Sequence, residues 1–74
     1  MPKLRVFSSR ELRALLAEFG FEEVRQRGSH VVMRKPVENG TITTVVPEHG
    51  EVKIGTLRSI IRQSRLPRDL FEQQ

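Results

Sequence analysis

Cysteine, tyrosine and tryptophan are absent from this 74-residue sequence, and it contains only four phenylalanines. Without cysteine the fold has no disulfide and no thiolate zinc site, and with two histidines we expect no structural zinc site either. Without tyrosine or tryptophan, recognition of nucleic acid on stacked aromatic rings is not expected, and backbone contacts are the better alternative. We therefore expect neither a metal ion nor a cofactor.

Long apolar segments are also missing. No apolar run approaches the roughly 20 residues that cross a bilayer, and the N-terminal residues MPKLRVFSSRELR lack the apolar segment of a signal peptide. We expect a soluble protein without membrane contact, and the lack of cysteine fits the reducing cytoplasm. At this length we expect residues 1–74 to form one domain, which buries about 60% of its unfolded-chain surface.

Positive charge is in excess, because 13 Lys and Arg residues stand against nine Asp and Glu residues, for a formal net charge of +4. This balance favours a polyanionic partner, most simply nucleic acid. The alternative is a basic surface that contacts only water.

A helix is predicted from about Ser8 to Gly20. Ser8 and Glu11 have the spacing of a capping box, in which each side chain bonds the backbone N–H of the other residue. Gly20 stands where a glycine ends a helix in the left-handed region. The apolar residues after the cap recur at the spacing of one helix face: Leu12, Leu15, Leu16 and Phe19.

Alternation and β-branched content predict three short strands, at residues 21–27, 30–35 and 41–46. The connections have the composition of turns, namely Gly28-Ser29 and Asn39-Gly40. Pro36 and Pro47 are predicted to end the strands before them, because proline cannot donate to a ladder. Residues 48–53 are predicted to form a polar loop.

A second helix is predicted to begin at about residues 54–56. Pro67 is predicted to break it and to start a short turn that docks Leu70 and Phe71. Ile54, Leu57 and Ile61 are predicted to lie on the apolar face of this helix, with Ile60 beside them. The order is therefore α-β-β-β-α, and each apolar helix stripe requires a surface to cover. The sequence predicts an α+β fold in which two helices pack on one face of a three-stranded antiparallel sheet.

His30 is the first candidate for chemistry, because it follows Gly-Ser in RQRGSHVVMRK and has basic residues on both sides. These are Arg25, Arg27, Arg34 and Lys35. An imidazole titrates near neutrality, so it can take a proton in one step and return it in the next. RNA cleavage requires such a group beside the ribose 2′-OH, and cations that stabilise the phosphate. The alternative is a structural histidine that bonds a nearby carbonyl.

Each of the other candidate site residues has two possible interpretations. Gly28 and Ser29 either allow a phosphate to approach the backbone or only make a turn. His49, in VPEHGE, is either a second acid/base or a loop residue. Arg58 and Arg62 lie either on a helix face that follows a phosphate backbone or on a solvated face.

A helix that ends in FGF is followed by RQRGSH, a strand, VPEH and then GTLRSIIRQSRL. In this order the motifs resemble the HicA family of bacterial toxins, from about Ser8 to Phe71. The Gly-Ser-His triplet alone is a weak match, and its placement among the other motifs makes the resemblance specific. The resemblance implies a fold like that of a double-stranded RNA-binding domain.

The resemblance also implies a toxin of a type II toxin–antitoxin system that cleaves mRNA and inhibits translation. The catalytic histidine would be His30, and the partner would be a HicB-type antitoxin that covers the site. We expect a metal-independent endoribonuclease that makes no DNA contact by this chain alone. Its expected RNA contacts are Arg25, Arg27, Gly28, Ser29, Arg34, Lys35, Arg58 and Arg62. Two alternatives stay open: an RNA-binding module that does not cut, and a protein whose basic face only binds a partner protein.

Overall fold

Two α-helices and a three-stranded antiparallel sheet are the main elements of the computed structural model, which describes residues 2–74. In chain order the elements are β1 (Phe7–Ser8), α1 (Ser9–Glu18), β2 (Glu22–Arg27), β3 (His30–Val37), β4 (Gly40–Pro47), β5 (Glu51–Val52), α2 (Ile54–Ser64) and a 3-10 helix (Arg68–Phe71). The predicted α+β fold, with the α-β-β-β-α order of a double-stranded RNA-binding domain, is confirmed.

Helix α1 begins at the predicted capping box. The Ser8 hydroxyl accepts from the Glu11 backbone N–H at 3.0 Å, and the Ser8 backbone N–H donates to the Glu11 carboxylate at 2.9 Å. Leu12 and Leu16 are fully buried. Phe19, predicted to extend this stripe, is 36% exposed, because it is the C-cap residue and has left the helical turn. The chain then reverses at Gly20, whose φ is +98°.

The main sheet has the order β2-β3-β4, so β3 is its central strand. A two-residue turn places Arg27 opposite His30, and the next hairpin places Val37 opposite Gly40. The prediction that Pro36 ends a strand is wrong, because β3 continues to Val37. The proline is tolerated there because β2 last pairs at Arg34, so Pro36 has a neighbouring strand on one side only.

A second, two-stranded sheet pairs β1 with β5, with Phe7 opposite Val52. The prediction of a polar loop over residues 48–53 is wrong for Glu51 and Val52, which form β5. Val52 is 3% exposed, but a strand of two residues is too short to produce an alternation pattern.

Helix α2 packs on the main sheet through Leu57 and Ile60, each 1% exposed. Ile54, predicted for the apolar face, is 51% exposed; it is the first residue of α2 and has no helical turn before it. The predicted turn after Pro67 is confirmed as a 3-10 helix, and it buries Phe71 completely. The Phe71 ring packs edge-on against Phe7, with ring centroids 6.0 Å apart.

The main sheet therefore has one covered side and one free side. Val31, Met33 and Val46 point into the core beneath the helices, and each is at most 3% exposed. Thr44, also buried, donates its hydroxyl to the Gln63 side chain of α2 at 2.8 Å. Because successive side chains of a strand alternate between faces, the residues between these point away from the helices.

Candidate active site

Eleven side chains of β2, β3 and β4 point away from the helices and form a surface that we call the open face. They are Glu22, Arg25, Arg27, His30, Val32, Arg34, Pro36, Thr41, Thr43, Val45 and Pro47. The register orders them into rows that run across the three strands. The first row is Arg27, His30 and Pro47. The second is Arg25, Val32 and Val45, and the third is Glu22, Arg34 and Thr43.

His30 lies at the edge of a shallow cavity on the open face, and its side chain is exposed. The cavity has a volume of about 510 Å³ and is lined by Arg25, Arg27, His30, Val32, Thr43 and Val45. Adjacent strands lie about 5 Å apart, so the Arg27 backbone is one strand spacing from that of His30. The cavity therefore combines one imidazole with two guanidinium groups.

The arginines of the open face are free to bind an anion. Within residues 2–74 the ion pairs are Arg13–Glu23, His49–Glu48 and Arg68–Glu72. Arg25, Arg27 and Arg34 take part in none of these pairs, and all three are exposed. Glu22 is the one carboxylate among the open-face residues, and it lies in the third row, opposite Arg34.

Gln26 and Glu48, which were not among the predicted site residues, help to hold the turn before His30. Gly28 occupies the first turn position with φ +57°, a positive value that glycine adopts more readily than other residues. The backbone N–H of Glu48 donates to the Ser29 carbonyl at 2.7 Å. The Gln26 amide donates to the Gly28 carbonyl at 3.2 Å and also to the Glu48 carboxylate.

Glu48 could have been found from the sequence by register. A two-residue turn at Gly28-Ser29 pairs Arg27 with His30, and the next hairpin pairs His30 with Pro47. The residue after Pro47 must then lie beside Ser29. The motif VPEH is thus adjacent to Gly-Ser-His in space because β3 and β4 are antiparallel.

His49 does not line the same cavity as His30. It is exposed and lies 2.9 Å from the Glu48 carboxylate, an ion pair when the imidazole is protonated. It lines a different cavity of about 270 Å³ near the start of α1, together with Ser8, Ser9, Arg10, Arg13, Glu48 and Gly50.

Lys35, Arg58 and Arg62 are not brought together with His30. Lys35 points to the helix side of the sheet, where its ammonium lies 5.9 Å from the centre of the Phe21 ring. Arg58 and Arg62 are exposed on α2, on the covered side of the sheet. Arg58 lines a third cavity, of about 360 Å³, beside the N-terminal segment and the 3-10 helix. Of the sequence-predicted contacts, Arg25, Arg27, Gly28, Ser29 and Arg34 therefore accompany His30.

The α-β-β-β-α order, with both helices on one side of the sheet, defines a small α+β domain of the double-stranded RNA-binding type. A family model described as "HicA toxin of bacterial toxin-antitoxin" matches residues 9–66, which include every candidate site residue. The chain belongs to the HicA toxin family and is therefore a member of a toxin–antitoxin class of proteins. A comparison with curated proteins found no match. No helix within residues 2–74 has the length and apolar character that would span a membrane.

Proposed function

We propose that residues 1–74 form a single-domain endoribonuclease toxin that cleaves mRNA in the cytoplasm and so inhibits translation. The observation that carries the proposal is the placement of His30 beside Arg25 and Arg27 on a free sheet face, in a chain of the HicA family. A histidine with adjacent guanidinium groups has the functional groups that RNA transesterification requires.

In the proposed reaction the ribose 2′-oxygen attacks the adjacent phosphorus as His30 takes its proton. The bond from phosphorus to the 5′-oxygen breaks, and the leaving oxygen gains a proton, which the imidazolium can supply. Arg25 and Arg27 stabilise the charge that develops on the phosphoryl oxygens. Atoms and charge balance without a metal ion or cofactor. DNA lacks the 2′-OH, so the chemistry selects RNA.

The other predicted RNA contacts have different roles in the proposed reaction. Gly28 and Ser29 let the RNA backbone approach the turn beside His30, because Gly28 carries no side chain. Arg34 continues the positive charge along β3. Lys35, Arg58 and Arg62, on the covered side, would meet either a distant part of the RNA or the partner protein.

The proposed partner is a HicB-type antitoxin whose surface covers the open face. A protein that presents carboxylates to Arg25, Arg27 and Arg34 would exclude RNA by occupying the same charges. Binding only to the folded toxin would also stabilise this small domain by mass action.

The test is cleavage of end-labelled single-stranded RNA by the purified protein, with EDTA present. We expect fragments from the wild type, and a loss of about 10²- to 10⁴-fold in rate for His30→Ala. RNA with a single 2′-deoxy substitution should resist cleavage at that position. Full activity of His30→Ala would contradict the assignment of His30. Retained activity of His49→Ala would assign His49 to the loop rather than to catalysis.

A non-catalytic RNA-binding module is the second candidate, and the unpaired arginines of the open face support it equally. That function would leave RNA intact while binding it with strong dependence on salt. Failure to bind RNA at low salt, with tight binding to an acidic protein, would instead favour a partner-binding protein. Expression of wild type and His30→Ala in a bacterium, with growth and transcript integrity followed together, separates these outcomes in the cell.

A further inference from the structure

We propose that the open face contains a nucleobase subsite, formed by Val32 and Val45, that holds one unpaired base of single-stranded RNA beside His30. The inference rests on the proposed function, because it names the form of RNA that the same cavity takes. In this arrangement the phosphate lies on Arg25 and Arg27 of β2, and the base lies on the aliphatic patch of the two following strands, β3 and β4.

The two valines lie side by side on the open face. Val32 and Val45 are directly paired across β3 and β4, and both point to the solvent side of the sheet. Val45 is 41% exposed although it is in the middle of a well-formed strand. Both residues line the cavity that contains His30. The cavity therefore has an apolar floor at one end and cations at the other.

The side chains of the second row change from cationic to aliphatic across the sheet. The second row runs from Arg25 through Val32 to Val45, with a carbon surface beginning one strand away from the guanidinium. Three adjacent strands span about 10 Å, which is of the order of one nucleotide from its phosphate to the far edge of its base. The volume of about 510 Å³ also suits a small ligand.

The subsite requires RNA that is single-stranded at the bound nucleotide. A base that lies flat on Val32 and Val45 must present its face, so it cannot also be stacked inside a helix. An A-form duplex keeps its bases stacked and offers mainly phosphates, 2′-hydroxyls and base edges. The face of any base can contact an aliphatic surface, so the subsite is expected to accept different bases with modest preference.

The positive charge of the open face favours RNA over a protein segment as the ligand of this subsite. The open face carries three arginines and one histidine against the single carboxylate of Glu22. The positive groups lie in the same rows as the apolar patch or in adjacent rows. One nucleotide supplies an anion and a flat apolar face, and it matches both features together.

The test compares Val45→Ser with Val37→Ser, a matched control in the same sheet. Val37 is 39% exposed, close to the 41% of Val45, but it lies at the hairpin end of β3 and does not line the cavity. We expect Val45→Ser to raise KM for a single-stranded RNA about three- to tenfold, with kcat within about twofold of the wild type. Val37→Ser should leave both constants near wild type. Val45→Thr, which keeps the β-branch, should give a smaller rise and guards against a folding defect.

Binding of a short 2′-O-methyl RNA, which cannot be cleaved, tests the subsite even if the wild type does not cut. We expect Val45→Ser, but not Val37→Ser, to weaken this binding by a similar factor, and a complementary strand to weaken it as well. Equal binding by the two serine variants would overturn the subsite, as would cleavage of duplex RNA at the single-strand rate. Loss of affinity for an acidic partner protein alone would also overturn it and assign the patch to that interface.

Discussion

The turn at Gly28 couples the stability of the β2–β3 hairpin to the geometry around His30, and Gly28→Ala measures this coupling. Apart from the two chain neighbours of Gly28, no atom of residues 2–74 lies within 4 Å of the position that a new Cβ would take, so the added methyl group meets no residue from elsewhere in the fold. The cost is then confined to the backbone, because φ is +57°. An L-residue in this region loses roughly 1–2 kcal/mol.

This cost is small enough for the variant to stay folded. A domain of 74 residues has a free energy of unfolding of roughly 4–11 kcal/mol. We therefore expect the melting temperature of Gly28→Ala to fall by about 4–16 °C, at about 4–8 °C per kcal/mol for this size. At a temperature where both proteins are folded, RNA cleavage should still fall about tenfold or more, because the turn sets the position of His30.

Gly55→Ala is the matched control. Gly55 also has open space around its Cβ position, but it lies in α2 and its φ is not positive. Alanine should stabilise the fold there by about 0.4–1 kcal/mol and leave cleavage unchanged. Urea unfolding and thermal melting followed by circular dichroism measure both variants. A Gly28→Ala protein as stable as the wild type would refute the requirement for a left-handed residue in this turn.

Two further predictions concern the helices. The Ser8 backbone hydrogen bond, and next the Ser8 side chain, hold the pKa of the Glu11 carboxyl below its ordinary value of 4.5. The charge of Glu11 therefore stabilises the fold above the pKa of the unfolded state, and this contribution is lost as pH falls through the folded-state pKa. The urea midpoints of wild type and Glu11→Gln should differ at neutral pH, and this difference should vanish in strongly acidic buffer. A difference that does not change with pH would contradict the capping role of the Glu11 carboxylate. Ile60→Ala should lower the free energy of unfolding by about 2–5 kcal/mol, because Ile60 is buried. Ile54→Ala should change it by less than about 0.5 kcal/mol, because Ile54 is exposed. Equal losses for the two variants in denaturant unfolding would contradict this difference in burial.

Local patterns were sufficient to predict the main elements. The capping box of Ser8 and Glu11 and the glycine at residue 20 determine the ends of α1 through bonds and dihedral angles within a few residues. Strands β3 and β4 carry enough β-branched residues to be recognised alone, whereas β2 contains only one, Val24, and was predicted from its weak alternation. Gly28-Ser29 has the composition of a turn. Such features depend on residues that are close in the sequence, so they can be predicted from the sequence alone.

Features set by distant contacts were not predictable in the same way. The β1–β5 pair joins residues more than 40 positions apart, and its two-residue strands have no pattern of their own. Ile54 has the spacing of the apolar face but is 51% exposed, so its spacing from Leu57 did not predict whether it is buried. At the site, sequence proximity suggested that Lys35 belongs with Arg34, but alternation places these neighbours on opposite faces.

A β-bulge at Val24 explains why Phe21 and the arginines of β2 lie on opposite faces of the sheet. In a regular strand Phe21, Arg25 and Arg27 would share one face, because they are separated by even numbers of residues. The register shift between Glu23 and Arg25 adds one residue, so the alternation changes phase. Phe21 then enters the core at 2% exposure, while both arginines remain on the open face beside His30. The same shift turns Glu23 to the helix side, where it pairs with Arg13 at 3.1 Å and leaves Arg25 free. The cationic character of the cavity thus depends on one inserted residue in β2.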